Sequence, residues 1–437
     1  MKKIVIVGNG ISGVTAARHI RKLSDYHITI ISGESDYFFS RTALMYVYMG
    51  HMKFDDTQPY EPSFWSKNRI NLKKAWVKKI VSEDKQLLLE NGELLSYDKL
   101  ILATGSKPNK FGWPGENLEG VQGLYTKQDL ELLEKTAPNN SICKHAVVVG
   151  GGLIGVELAE MLHSRHIPVT FLVRETNFWN GVLPDHDCSI LNDHIKAHGI
   201  DLRLGVNLKE IHSDRMGRVE SVEIAETGEI IPCNFVGLTA GVSPQISLAQ
   251  NSGIETHRGI LVNQFFETNL TDIYAIGDCA EQTDQLPNGR RSIEAVWYSG
   301  RMMGETIAQT ITGNKTPYKP GHWFNSAKFF DIEYQTYGWV SSLRSKPEHE
   351  LQLHWKYHDN TKGVTLSYNK NDRTFLGINT FGIRMRHEVF NQWLNEKKSI
   401  EQVIEQLDKA QFDPEFYKSY VNEIQSVLLA TLSNSVL

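Results

Sequence analysis

The apolar and polar positions at the start of the chain predict three elements in quick succession. KKIVIV is a short run rich in Ile and Val, which reads as a strand. GNGISG follows as a tight turn, VTAARHIRKL as a helix and HITIIS as the next strand. The same order recurs in HAVVVGGGLIGVELAEMLHSRHIPVTFLVRE, which supplies strand, glycine turn, helix and strand in about the 30 residues that a βαβ unit needs. Two further apolar segments end in turns. YDKLILATGSKP follows the polar, hairpin-like LLLENGELLSYDK, and TNLTDIYAIGDCAE places Asp278 just after a strand. Towards the C-terminus, Ser399-Ile400-Glu401-Gln402 has the spacing of a capping box, opening a helix with Val403, Ile404 and Leu407 on one face. Asp413-Pro414 can open another as N-cap and N1 proline, with Tyr417, Tyr420, Val421, Ile424, Val427 and Leu428 as its stripe. Such stripes usually face a core, and a homodimer contact or partner dock is the alternative.

The two turns carry Gly8-x-Gly10-x-x-Gly13 and Gly150-x-Gly152-x-x-Gly155. In this context the first glycine makes the turn, the second lets the backbone approach a pyrophosphate, and the third lets helix pack closely on strand. The helix N-terminus then offers unpaired N–H groups and the positive dipole end. Glu34, 21 residues after Gly13, can accept hydrogen bonds from a ribose diol. The second copy ends ambiguously: Val173 stands where an NADH site often places its acid, Arg174 could face a 2′-phosphate, and Glu175 could bind the diol. The lean is to NADPH, on account of Arg174.

At 437 residues the chain suits two or three domains. With 41% hydrophobic and 22% charged residues and a net charge of -5, it reads as a soluble globular protein with no encouragement for nucleic-acid or membrane-surface binding. No apolar run reaches the ~18 residues of a membrane span. Met1-Lys2-Lys3 and its apolar run read as a first strand rather than a signal peptide, so a cytoplasmic location is expected. Cys143, Cys188, Cys233 and Cys279 are scattered without CxxC or metal-ligand spacing and read as reduced structural thiols. His194 and His198 lie four apart on a predicted helix, and His354 and His358 share that spacing. Neither pair has a Cys, Asp or Glu arrangement that completes a metal site, so none is expected.

Together the two fingerprints, Ala103-Thr104-Gly105 and the Gly277-Asp278 turn resemble the FAD- and NAD(P)-dependent pyridine nucleotide oxidoreductases, over the chain from Met1 to about Phe390. The resemblance implies an α/β fold with two Rossmann-like dinucleotide-binding domains plus a C-terminal α+β domain. An FAD domain (1–112 and 241–318) would carry an inserted NAD(P) domain (113–240), followed by a C-terminal interface domain with a helical extension (319–437). It also implies FAD held by Gly8, Gly10, Ser12, Gly13, Glu34, Arg41, Ala103, Thr104, Gly105, Asp278 and Trp297. In that scheme Arg41 forks onto the pyrophosphate and Asp278 meets the ribityl region. NAD(P)H would be held by Gly150, Gly152, Leu153, Ile154, Gly155, Glu157, Arg174, Glu175 and Gly241, with Glu157 positioning nicotinamide and flavin rather than acting as an acid or base.

Within the family, the segment after the first βαβ unit sets the subgroup. FFSRTALMYVYMG, with Ser40, Arg41 and Thr42, has no thiol and resembles rubredoxin reductases, ferredoxin reductases of oxygenase systems, nitrite reductase flavin domains and apoptosis-inducing factor. WFNSAKFFDIEYQTYG, residues 323–338, is similar to the opening of their C-terminal domain. Tyr46 and Asn325 depart from the lysine and aromatic that ferredoxin reductases usually carry there. The implied function is hydride transfer from NAD(P)H to FAD and electron delivery, without a redox disulfide, to a small redox protein such as rubredoxin or ferredoxin. A quinone, oxygen or other small oxidant comes second. The competing class is an NAD(P)H-sensing interaction protein similar to apoptosis-inducing factor.

Overall fold

A computed structural model describes residues 1–412, 415–416 and 418–434. The chain forms two compact units. One comprises Met1–Asn109, Gly123–Lys135 and Gly241–Gly321; the other comprises Lys110–Gln122, Thr136–Ala240 and His322–Leu437.

The first unit is built on a five-stranded parallel sheet in the order Ile273–Ala275, Lys99–Leu102, Lys3–Val7, His27–Ser32, Ile70–Lys74. Its central strand is apolar almost throughout because both faces are covered: Ile4, Val5, Ile6 and Val7 are all buried. Helix Ile11–Leu23 crosses from this strand to the next and packs on helix Trp297–Ile311. Two glycines permit the close approach, since a Cβ at Gly300 would lie 2.7 Å from Ser12 Oγ and one at Gly304 would lie 2.6 Å from Ser12 O. Residues 123–135 return to this unit, where the backbone N–H of Lys127 donates to Glu34 Oε1 at 3.0 Å.

The second unit repeats the parallel arrangement in the order Asp201–Leu204, Val169–Val173, Ala146–Val149, Phe235–Leu238, Val121–Gln122. It adds a five-stranded antiparallel sheet in the order Phe324–Phe329, Ile332–Gly338, Phe375–Phe381, Gly363–Asn369, Glu350–Lys356. The two sheets of this unit are tied by a buried polar link. Asp187, in the first turn of helix Asp185–Ala197, accepts hydrogen bonds from Thr365 Oγ1 at 2.5 Å and Asn379 Nδ2 at 2.8 Å. Burial raises its carboxyl to about 7.

The capping box forms as the sequence predicts. Ser399 caps helix Ile400–Glu405, with Gln402 Oε1 accepting from Ser399 N at 3.1 Å, and Val403, Ile404 and Leu407 are fully buried. The last helix spans Val421–Asn434 and buries Val421, Ile424 and Leu428, whereas Val427, expected on the same stripe, is 41% exposed. Its angular position explains the correction: residues 421, 424 and 428 follow the three- and four-residue spacing of one face, and 427 falls beside it. The proposed start at Asp413-Pro414, and Tyr417 with it, lies outside the described residues. No helix among the described residues is long and apolar enough to cross a membrane.

Candidate functional site

Each glycine fingerprint resolves into three different steric situations. In the first, a Cβ on Gly8 (φ +115°) would meet Ala103 O at 2.1 Å, and one on Gly13 would meet Gly8 O at 2.2 Å. Around Gly10 nothing lies within 4 Å. In the second, Gly150 (φ +123°) faces Thr239 O at 2.5 Å, Gly155 faces Gly150 O at 2.2 Å, and Gly152 again has nothing within 4 Å. Gly10 and Gly152 are the N-cap residues of helices Ile11–Leu23 and Leu153–Ser164, and neither has a side-chain cap. Open space therefore lies beside the unpaired N–H groups of both helix N-termini, a cradle that any side chain would fill and that a pyrophosphate fits.

Ser12, Ala103, Thr104, Gly105 and Asp278, all expected at the first site, are linked around this turn. Ala103 N donates to Val7 O, bringing the Ala103-Thr104-Gly105 segment against Gly8, and Thr104 Oγ1 is fixed on Gln245 O at 2.7 Å. Gly105 (φ +69°) leads to Ser106, whose hydroxyl donates to Asp278 Oδ2 at 3.2 Å. Burial raises the Asp278 carboxyl, opposed by the Ser106 hydrogen bond and by the charge of Arg41. Ser12 sits under this loop, since a Cβ on Gly277 would lie 2.4 Å from its Oγ. Trp297 is the half-buried first residue of helix Trp297–Ile311 and stands edge-on to Tyr298.

The Arg41 fork, expected on a pyrophosphate, is turned onto Glu34 as a bidentate pair, with Nη1 to Oε1 at 2.9 Å and Nη2 to Oε2 at 2.6 Å. The guanidinium also donates to the carbonyl of Tyr125 and lies 4.5 Å from the centre of its ring. Burial opposes its charge, but the Glu34 hydrogen bond and charge prevail and hold its pKa above the ordinary arginine value.

At the second turn, Leu153 and Ile154 open the helix, half-buried. The Glu157 carboxyl, three residues on, is pushed up to about 7 by burial and then by the charge of Glu160. Glu175 Oε2 lies 3.6 Å from where a Cβ on Gly151 would stand, so this acid leans towards the glycine turn. Arg174 is 74% exposed and reaches back to Glu175, with Nη2 to Oε1 at 2.8 Å. Gly241 (φ +90°) falls in the first unit, where its carbonyl accepts from Asn109 N at 3.1 Å.

Several structural supports were invisible in the motifs. Thr239 Oγ1 donates to Val149 O at 2.9 Å, and its own carbonyl closes on Gly150. A buried ion pair, Arg290 Nε to Glu294 Oε1 at 2.6 Å, joins Ser299 beside the start of helix Trp297–Ile311. No spacing signalled this pair, because residues 290–294 lie outside any helix and their i, i+4 separation does not by itself bring side chains together.

All four cysteines are free and buried. Burial pushes the Cys143 thiol up to about 11 and Cys233 up to about 12, and it also raises Cys188 and Cys279. The two histidine pairs separate. His354 lies on strand Glu350–Lys356 with its ring 3.9 Å from that of His186, and His358 lies beyond the strand against Tyr357. The expectation that the other pair lacks a carboxylate fails. His194 and His198 meet Asp331, which comes from the turn between strands Phe324–Phe329 and Ile332–Gly338; the reason is tertiary, a hairpin 137 residues on in sequence (331 − 194).

Residues 2–299 match the family described as pyridine nucleotide-disulphide oxidoreductase. The chain is 30% identical over 338 residues to the 5,5'-dehydrodivanillate O-demethylase ferredoxin reductase subunit of Sphingobium sp., covering 76% of this chain and 81% of that protein. It is 31% identical over 327 residues to rubredoxin-NAD(+) reductase of Acinetobacter baylyi, covering 73% and 82%. Its fold is similar to that of the ferredoxin reductase for the CYP199A2 system from Rhodopseudomonas palustris, with a TM-score of 0.79 at 24% identity over 87% of this chain and 91% of that one. The chain belongs to the pyridine nucleotide-disulphide oxidoreductase family and is an NAD(P)H-dependent flavin oxidoreductase related at about 30% identity to ferredoxin and rubredoxin reductases.

Proposed function

We propose that the chain oxidises NADH and reduces a small one-electron redox protein of the rubredoxin or ferredoxin kind, with FAD as its resident cofactor. The observation that carries this reading is the repeated steric pattern at the turns: walled glycines at Gly8, Gly13, Gly150 and Gly155, and open ones at Gly10 and Gly152. When bound, FAD supplies two-electron uptake from the nicotinamide and delivery of single electrons outward.

The protein's own part is binding and orientation. Gly8, Gly10, Ser12 and Gly13 present the first helix N-terminus to a pyrophosphate. Glu34, already fixed by Arg41 and the Lys127 N–H, keeps lone pairs for a ribose diol. Asp278, aimed by Ser106, accepts from a ribityl hydroxyl. Ala103, Thr104, Gly105 and Trp297 complete the wall of that site.

Gly150, Gly152, Leu153, Ile154 and Gly155 take the second pyrophosphate, with Gly241 at the crossing back to the first unit. The lean of Glu175 towards Gly151, with Arg174 turned to solvent, supports the diol of NADH over the 2′-phosphate and moves the preference away from NADPH. Glu157 holds a proton on the acid side of pH 7 and positions the nicotinamide. The FAD domain is assigned to the first unit and the NAD(P) domain to the parallel-sheet part of the second.

The direct outward route is supported by the buried, high-pKa thiols and by Ser40-Arg41-Thr42, where a relay cysteine would stand. The names of the rubredoxin-NAD(+) reductase and ferredoxin reductase subunit relatives support the acceptor class. The test is anaerobic reductive titration of FAD-loaded protein, followed by mixing with rubredoxin, ferredoxin or a quinone. Full reduction at two electrons per FAD, and rapid reoxidation by one of the redox proteins, is expected. A requirement for four electrons would place a redox-active disulfide in the pathway and overturn the reading. Slow reoxidation by every acceptor, coupled to a change in oligomeric state, would instead make the chain a sensor.

A further inference from the structure

We propose that His194, His198 and Asp331, none of them part of either glycine turn, form a binding site for a divalent transition-metal ion of the zinc type. His194 and His198 are successive turns of one helix face, ending at the C-terminus of helix Asp185–Ala197. Asp331 sits at the turn between strands Phe324–Phe329 and Ile332–Gly338. One ligand atom from each residue lies within 4.8 Å of the others. All three belong to the second unit.

His198 Nδ1 lies 2.9 Å from the carbonyl of His194, which orients that ring and leaves its Nε2 for a metal, the usual support of a metal-bound imidazole. His194 Nε2 is buried and faces Asp331 Oδ1 at 2.6 Å, so a nitrogen lone pair and a carboxylate already converge at this point.

His198 Nε2 lies 3.4 Å from the same Asp331 oxygen. With metal–nitrogen and metal–oxygen bonds of about 2.0 Å, the edge of a tetrahedron is about 3.3 Å. The His198 edge therefore already fits, and the His194 edge needs to open by about 0.7 Å. Asp331 is 77% exposed and free to make that shift, and it gives an incoming ion its path from solvent. Phe330 stacks on the His198 ring with centroids 4.4 Å apart and covers one of its faces. Imidazole nitrogens with one carboxylate favour zinc, cobalt or nickel over magnesium or calcium, which take all-oxygen shells. A bound ion would clamp the helix of the parallel sheet to the first hairpin of the antiparallel sheet.

The test uses full-length, FAD-loaded protein freed of metal by a chelator, titrated with Zn2+ by calorimetry and with Co2+ by its visible absorption. One equivalent per chain and a four- or five-coordinate Co2+ spectrum are expected. His194→Gln and His198→Gln should each weaken binding by at least about tenfold. Asp331→Asn, at an exposed position that does not threaten folding, should weaken it several-fold. His349→Gln, at an exposed histidine elsewhere, should leave it unchanged. Absence of stoichiometric binding, an octahedral all-water-and-oxygen Co2+ spectrum, or undiminished affinity in the correctly folded His194→Gln and Asp331→Asn proteins would each overturn the site.

Discussion

The two glycine turns share one steric design and differ in how they hold the acid beyond it. Glu34 is gripped on both oxygens by Arg41, receives a backbone N–H from Lys127 and is 15% exposed. Glu175 is met by the exposed side chain of its sequence neighbour, an interaction that water screens. The turn leaves open space in either unit, and the two acids, similarly buried, differ in the partners that hold them. On the proposed assignment, the rigid acid belongs to the cofactor that stays and the looser one to the substrate that must leave after each turnover.

Glycine substitutions give the largest expected effects and would break the comparison most directly. Gly8→Val puts a branched side chain at φ +115° and into Ala103 O, so loss of soluble folded protein is expected, a cost beyond about 4 kcal/mol. Gly152→Val points into open space and should leave the thermal midpoint within about 2 °C while abolishing flavin reduction by NADH. If both variants fold, or neither does, the division of labour within each fingerprint is wrong.

Asp278→Ala should weaken FAD retention by about ten- to hundredfold, read as flavin lost on gel filtration. Glu175→Gln should raise the KM for NADH by about tenfold, and Arg174→Ala should change it by less than about twofold. The reverse ranking, with NADPH use falling in Arg174→Ala, would restore the 2′-phosphate reading.

The last prediction concerns pH. Asp187 has an ordinary carboxyl value when unfolded and about 7 when folded, so the native state holds a proton that the unfolded chain gives up first. Stability should therefore fall as pH rises from about 4 to 7 and level off above that range. Asp187→Asn should flatten this slope in thermal melts across that range; an unchanged slope would assign the dependence to other carboxyls such as Glu157.

Local chemistry was legible in the sequence. The glycine turns, the Ala103-Thr104-Gly105 segment and the Ser399 capping box depend on residues a few positions apart, where spacing dictates geometry. Contacts made by folding were not. Nothing near Glu34 announces that residues 123–135 return to bond it, nothing in the helix Asp185–Ala197 announces Asp331, and the grip of Gly300 and Gly304 on Ser12 needs two helices to be packed first. Glu175 and Arg174 were ambiguous for a related reason: adjacent residues on one loop could each face the turn, and only backbone direction decides between them.

The discontinuity of the first unit has a consequence for synthesis. Strand Lys99–Leu102 is an inner strand of the finished sheet, but its neighbour Ile273–Ala275 is encoded about 170 residues later. A growing chain must carry that edge unpaired while the inserted βαβ unit is made, and an unpaired apolar edge invites pairing between nascent chains. Slow translation through residues 110–270, or scarcity of chaperones that cover exposed strands, should therefore lower the yield of folded protein more than it would for a chain whose sheets close in sequence order.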